Sequence, residues 1–352
     1  MTTVRFDGPA CPTPLVDTER VQLGHGSGGK LSARLLKDRF LPHLGNPFLA
    51  QLSDGAVVPL GGAEAVLSTD TFVVSPLEFP GGDIGMLAVH GTVNDVAMMG
   101  ARPCYLTAGF VLEEGLPLDL LERIVRSMAA AAQSVGVPLV AGDTKVVERG
   151  KADGLYINTT GLGLLDPAFR PGPARARPGD VILVSGEIGR HGMAIMAARE
   201  GLAFESAITS DTASLVPLVE RLKAAAGDGI RVLRDPTRGG LASALNEIAQ
   251  ASKVGMRLVE DRIPIPVEVG AACEILGLDP MYVANEGVLT AIVAPDQAAA
   301  ALEALRGHPI GAGARQIGVV TTDHPGYVVL ETRIGGTRVV DLLPGDQLPR
   351  IC

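Results

Sequence analysis

Tryptophan is missing and aromatic residues make up only 3% of the chain, so the interior must be packed with Ala, Val, Leu and Ile. Basic runs are missing too, and the formal net charge is −9. Binding a phosphate backbone needs clustered Lys and Arg, so a general nucleic-acid binder is excluded. Cysteine is scarce: Cys11, Cys104, Cys273 and Cys352 lie far apart and form no CxxC pair, which argues against zinc. Cys104 and Cys273 sit among apolar neighbours and read as small core residues. No apolar run approaches the ~18 residues that cross a bilayer. Residues 1–20 are polar and broken by prolines, unlike a secretory segment. These absences predict a soluble, cytoplasmic chain with reduced thiols, no membrane partner and no nucleic acid.

What is present suits a large folded chain. Of 352 residues, 47% are hydrophobic, and Gly 44 and Pro 25 imply many tight connections. At roughly 100–200 residues per domain, two domains are expected. Residues 1–45 read as an irregular arm and a glycine-rich loop leading into a helical pattern (Leu31, Leu35, Leu36, Phe40). Residues 46–165 form the first domain. Its strands are expected at 56–60, 65–68, 72–74, 104–112, 137–141 and 155–165, its helices at 83–99 and 117–135. The Pro- and Gly-rich segment 166–179 marks the boundary. Residues 175–343 alternate strands and helices and close with a hairpin around Gly335-Gly336. The fold class is α/β in two halves.

Four aspartates fall in turns or on a helix of the first half. Asp54, Asp70 and Asp143 are expected at strand ends, and Asp95 follows Asn94 on an otherwise apolar helix. A carboxylate on an apolar helix needs a cation or hydrogen-bond partners. If Asp54, Asp70 and Asp143 project from one sheet edge toward that helix, the set offers hard oxygen ligands for Mg²⁺ on a nucleotide. Gly24-His25-Gly26-Ser27-Gly28-Gly29-Lys30 matches seven positions of a P-loop, but Leu31 replaces the Ser or Thr that would hold Mg²⁺, so a Walker site is rejected. Its backbone N–H groups could still close over phosphates. Asp235-Pro-Thr-Arg238-Gly239-Gly240 opens a helix with glycines, where amides can face an anion or Thr237 can simply cap. Asp83 caps a helix or acts on a water or metal.

The chain finishes in a thiol. Residues 344–352 carry two prolines and a glycine with no periodic pattern, and read as a mobile tail reaching on the order of 30 Å. A terminal thiol on such a tail could be loaded in one active site and react in another.

These motifs resemble a known family. Gly24-His-Gly-Ser-Gly-Gly, Ser68-Thr-Asp70, Asn94-Asp95-Val-Ala-Met-Met-Gly-Ala-Arg-Pro103, Ala141-Gly-Asp-Thr-Lys-Val-Val-Glu148, Arg234-Asp-Pro-Thr-Arg-Gly-Gly-Leu241, Asn285-Glu-Gly287 and the terminal Pro-Arg-Ile-Cys352 are similar to the HypE family of nickel–iron hydrogenase maturation proteins. The nucleotide motifs are shared with aminoimidazole ribonucleotide synthetase and thiamine phosphate kinase; only the terminal Arg-Ile-Cys is particular to HypE. The resemblance implies the two-domain aminoimidazole-ribonucleotide-synthetase-like (PurM-like) fold and a homodimer, with first-half strands of both subunits closing a barrel. It implies ATP and Mg²⁺ as cofactors, HypF as carbamoyl donor and a HypC–HypD assembly as cyanide acceptor. The implied activity is ATP-dependent dehydration of an S-carbamoyl group on Cys352 to a thiocyanate. Carried onto this chain, Cys352 bears the group, Lys145 and Glu286 are the candidate bases, and Asp83 is a further catalytic candidate. His25, Gly28, Gly29, Asp54, Asp70, Thr71, Asn94, Asp95, Asp143, Thr144 and Arg238 would hold nucleotide, with Asp54, Asp70, Asp95 and Asp143 on the metal. A small-molecule kinase or synthetase with an idle tail, and a non-catalytic thiol carrier, are the rival readings.

Overall fold

The structure is a computed structural model that describes residues 29–44, 46–48, 51–201, 208–342, 348 and 350–352. The arm, His25, Gly28 and most of the glycine-rich loop and the tail lie outside the described residues. The chain enters through α1 (Lys30–Leu35), a π turn at Leu36–Phe40 and α2 (Leu41–Leu44).

Alternation of apolar and polar residues builds the first sheet. Its strands are β1 (Ala56–Leu60), β2 (Ala63–Phe72), β5 (Ala101–Glu113), β6 (Leu139–Val147) and β7 (Leu155–Leu165), in the order β1-β2-β7-β5-β6. A short ribbon of β3 (Glu78–Phe79) and β4 (Gly82–Asp83) leads into α3 (Ile84–Met98). Val66, Phe72, Leu106, Ala108, Leu155 and Ile157 point inward against α3 and α4 (Leu118–Val135). Gly161 and Gly163 let α3 approach β7: a Cβ on Gly163 would lie 2.4 Å from Val96 Cγ1. The strand expected at 65–68 extends to Phe72 within β2, while Val73 and Val74 of the strand expected at 72–74 lie beyond its end. The strand expected at 137–141 runs on through Gly142-Asp143-Thr144, because parallel pairing with β5 continues from Leu139 to Val147 and overrides the local turn signal.

The second domain is a seven-stranded sheet ordered β14-β13-β10-β12-β8-β11-β9. It comprises β8 (Val181–Val184), β9 (Ile230–Arg234), β10 (Gly255–Val259), β11 (Thr290–Val293), β12 (Arg315–Thr321), β13 (Val328–Glu331) and β14 (Thr337–Val340). Every residue of β8 and β11 is buried, as expected for strands covered on both faces. Ile182, Val184, Val232 and Ile292 pack under α7 (Gly240–Ser252). Val181, Leu183, Leu233 and Val293 pack under α6 (Val216–Ala226) and α9 (Ala298–Arg306). Helices α5 (Arg190–Glu200) and α8 (Val267–Leu276) form a satellite cluster with Leu348. No helix among the described residues is long and apolar enough to cross a membrane.

Helix α3 joins the halves. Ala97 and Met98 enter the core beneath α6 and α9, while Leu87, Ala88 and Val93 face the first sheet. Asn94 is 1% exposed. Its amide donates to Ala213 O (3.0 Å) and accepts from Leu215 N (2.7 Å), so both ends are used by second-domain backbone.

Candidate functional site

The cleft between the domains collects carboxylates from both. Ser68 lies on the inner face of β2, and its hydroxyl sits within hydrogen-bond distance of both Asp54 O (2.7 Å) and Asp95 Oδ2 (2.8 Å). Asp235 follows β9 and comes from the other domain. Asp54, Asp95 and Asp235 each offer a carboxylate oxygen within 4.8 Å of the others. Burial, then repulsion from Asp235, Asp54 and Asp70, pushes Asp95 well above the usual carboxylate range. Burial and Asp54 push Asp235 up to about 7, against the pull of Arg234. Asp54 is raised by burial too, although Arg234 Nη1 lies 2.5 Å from its Oδ1. Arg234 also pairs with Glu247 at 2.5 Å. Three mutually repelling hard oxygen donors fit a divalent cation such as Mg²⁺.

Asp70 and Glu286 extend the acidic lining. Burial raises Asp70, opposed by Arg238. Glu286 is 3% exposed, and its Oε1 has no hydrogen-bond partner. Burial and then Asp235, Asp70 and Asp211 drive its carboxyl well above the ordinary value, with Arg238 opposing. Asp211 anchors this turn from behind by accepting from Glu286 N (3.2 Å) and Gly287 N (3.1 Å). Gly287 admits no side chain: a Cβ would fall 1.8 Å from Asp211 O.

The carboxy terminus lies in the same cleft. Val73 N donates to Cys352 O (3.0 Å) and Ser75 N to Arg350 O (3.3 Å), so the last residues run beside the chain leaving β2 as an added strand would. Arg350 donates from Nε to Val73 O (3.1 Å) and pairs with Asp153. Ile351 is buried in the first-domain core, and Cys352 is partly exposed. Arg238, at the open side, has its cationic form favoured first by the negative charge at Cys352 and then by Asp70 and Glu286. The tail, expected to be mobile, rests at its end docked on its own chain: Ile351 has a core socket, and the backbone of Arg350 and Cys352 has hydrogen-bond partners.

The sequence-predicted residues divide accordingly. Asp54, Asp70, Asp95, Arg238, Glu286 and Cys352 meet in the cleft. Asp143 does not. The register runs Thr71–Asn158–Gly109–Asp143 across β2, β7, β5 and β6, three strand spacings or roughly 14 Å. Asp70 shares the buried face with Thr159 and Ala108, one residue away, so side-chain alternation sends Asp143 to the opposite, exposed face. There it pairs with Lys145 at 2.5 Å, and this ion pair holds its carboxyl below the usual range. Thr144 and Lys145 are likewise exposed on the edge strand β6. Thr71 faces outward and accepts from Asn158 Nδ2 (2.9 Å). Asn94, expected to hold nucleotide, gives one amide hydrogen and one oxygen lone pair to the second-domain backbone and so bridges the two halves. Asp83 is a helix cap, accepting from Gly85 N (2.8 Å) and Met86 N (2.9 Å). Gly29 precedes α1; His25 and Gly28 lie outside the described residues.

Sequence reasoning passed over Asp235 and Asp211. Asp235 stood in the quoted Arg234-Asp-Pro-Thr-Arg motif, but only topology shows that it faces Asp54 and Asp95. No local pattern marks Asp211.

Comparisons with known proteins agree on one assignment. The AIR synthase related protein N-terminal domain family matches residues 52–165, and the corresponding C-terminal domain family matches residues 177–331. The carbamoyl dehydratase HypE of Cupriavidus necator is 55% identical over 338 residues, covering 96% of both chains. A crystal structure of the hydrogenase maturation protein HypE in complex with ATP superimposes with a TM-score of 0.80 at 51% identity, covering 95% of this chain and 100% of that one. A chain of a HypE–HypF complex gives 0.84 at 46% identity, over 88% and 99%.

Proposed function

The chain belongs to the HypE family of carbamoyl dehydratases, and from that premise we propose how its own residues carry the reaction. It is an ATP-dependent carbamoyl dehydratase of hydrogenase maturation that converts an S-carbamoyl group on its terminal cysteine to a thiocyanate. The observation that carries the reading is the docking of Cys352 on Val73, just past the strand that bears Asp70, at the cleft that also holds Glu286 and the Asp54–Asp95–Asp235 cluster; the negative charge at Cys352 favours the Arg238 cation.

The carbamoyl oxygen is a poor leaving group. Transfer of the γ-phosphoryl of ATP to that oxygen releases ADP and turns it into phosphate. Loss of phosphate with removal of both nitrogen protons then leaves the C≡N bond on sulfur. Asp54, Asp95 and Asp235 would hold Mg²⁺, which neutralises phosphate charge when bound with the nucleotide. Asp70 lines the same wall. Arg238 orients the anionic end of the tail. Glu286, desolvated and ringed by carboxylates, is a stronger base once ionised than an exposed carboxylate, and takes a nitrogen proton.

Lys145 and Asp143 enter only through a second copy. Every residue of β6 from Leu139 to Val146 is exposed, including Val140 at 57% and Val146 at 67%. Leu67, Tyr105 and Leu164 are exposed on the sheet. A bare edge strand beside apolar surface suits pairing with its like, which supports a homodimer through the first domains. HypF would supply the carbamoyl group and a HypC–HypD assembly would accept the cyanide. A terminal thiol that must stay reduced to accept the carbamoyl group suits the reducing cytoplasm.

The test is the mass of the C-terminal peptide after incubation with a HypF-type donor, carbamoyl phosphate and ATP. Carbamoyl loading followed by loss of one water supports the reading. Loading that persists unchanged with ATP identifies a carrier instead, and an untouched tail with ATP-dependent phosphorylation of a small metabolite identifies a small-molecule kinase or synthetase.

A further inference from the structure

One short segment holds the turn that bears Glu286 and, through His191, the peptide that precedes Cys352. The chain Ile208–Leu215 passes between the domains, fastened by Ser210 N to Pro80 O (2.8 Å) and by the Asn94 clamp. Gly81 is needed beneath it, since a Cβ there would lie 2.8 Å from both Ser210 N and Ser210 O. Ser210 Oγ lies 2.8 Å from His191 Nδ1. On the far side of the ring, His191 Nε2 lies 2.9 Å from Ile351 O. A carbonyl can only accept, so Nε2 carries the proton and Nδ1 accepts from the Ser210 hydroxyl. That tautomer is fixed inside the protein: His191 is 0% exposed and stands edge-on to Phe79 with ring centroids 5.6 Å apart. The next residue, Asp211, grips the N–H groups of Glu286 and Gly287, and Ala213 N returns to Glu286 O (3.3 Å).

We propose that Ser210 and Asp211 are positioning residues that bring the two reacting groups into one register. Ser210, through His191, seats the peptide that precedes Cys352. Asp211 seats the turn that bears Glu286. Because the two are adjacent in a segment clamped to both domains, a shift of the tail and a shift of the carboxyl are not independent. Arg199 completes the tail's seat, donating from Nη2 to Arg350 O (2.7 Å) and to Ser75 O (2.8 Å). Gly192 is demanded first by Val283, whose Cγ1 a Cβ would meet at 2.6 Å, and Leu348 of the tail packs over the same point, 3.3 Å away. The inference rests on the proposed dehydratase reading, and its test separates the two.

The full-length protein is treated with a maleimide, and modification of Cys352 is followed by the mass of its C-terminal peptide, a readout that needs no turnover. Losing one buried hydrogen bond to the tail should raise the alkylation rate about tenfold in His191→Leu. Ser210→Ala should raise it in the same direction, and His191→Gln, which keeps an N–H near the Nε2 position, should restore most of the wild-type rate. Single-turnover dehydration of preloaded protein is then compared in His191→Leu, Asp211→Ala and the double variant. The double loss should be smaller than the product of the single losses, since either alone breaks the register. Alkylation in both His191→Leu and Ser210→Ala within twofold of wild type, or a double loss equal to that product, overturns the proposal. If preloaded wild-type protein never loses water, the dehydratase reading fails instead, whatever the alkylation rates.

Discussion

Replacing Asp235 with Asn should stabilise the cation-free protein while abolishing its response to Mg²⁺. Asp235 is 5% exposed and raised from 3.8 to about 7 by burial and by Asp54. A folded-state value above the unfolded one means that the native carboxyl prefers its proton. The associated stability is full below the unfolded value and is lost as pH rises through about 7. A shift of roughly three units corresponds to about 4 kcal/mol, an order-of-magnitude figure because Asp54 and Asp95 titrate with it. Above pH 7, without divalent cations, the wild type carries that penalty and Asp235→Asn does not. In chelator at pH 8 the Asn variant should therefore unfold at a higher urea concentration, by a few kcal/mol; at pH 5 the difference should shrink. Mg²⁺ should raise the wild-type midpoint at pH 8, where the carboxylates are ionised, far less at pH 5, and the variant's hardly at all. Urea titrations at both pH values, with chelator or Mg²⁺, decide it. Asp235→Asn less stable than wild type in chelator at pH 8, or equal stabilisation of both proteins by Mg²⁺, would refute the assignment of Asp235 to a cation site.

Acid should weaken the fold through two buried imidazoles: burial lowers both His90 and His191 to about 4. A depressed value stabilises the neutral form, so their contribution is full above about 6.5 and is lost as pH falls toward 4, about 3 kcal/mol each; His191→Gln should flatten that limb of a pH–stability curve. Asn94→Ala leaves Ala213 O and Leu215 N without their side-chain partner at the interdomain seam, so denaturation should show a loss of about 2 kcal/mol. Gly287→Ala should remove dehydration while sparing Cys352 loading, because the Cβ collides with Asp211 O and displaces Glu286; unaltered single-turnover rates would count against Glu286 as the base. Val146→Glu on β6 should shift sedimentation toward monomer if that edge is the dimer seam.

Much of the fold could be read locally because its signals are local. The buried β8 strand, the Asp83-capped helix α3 and the hairpin around Gly335 each carry their own pattern in a few residues. The terminal thiol was equally legible, since position alone marks it. The cluster was only half legible, and Asp143 shows why. A carboxylate in Ala-Gly-Asp-Thr looks like a strand-end ligand, but whether it faces Asp70 depends on register across three strand pairs, and a one-residue offset reverses the face. Asp235 fails in the other direction. Its motif suggested a helix entry in a separate domain, yet long-range packing brings it to Asp54 and Asp95. The tail follows the same logic: composition set its freedom, while Ile351's socket, His191 and the Val73–Ser75 backbone set where it rests. What the sequence withholds in each case is relative placement of distant segments. The proposed active arrangement consists of that placement: two domains supply the carboxylates, the last residues supply the thiol, and one clamped segment ties the seats of both together.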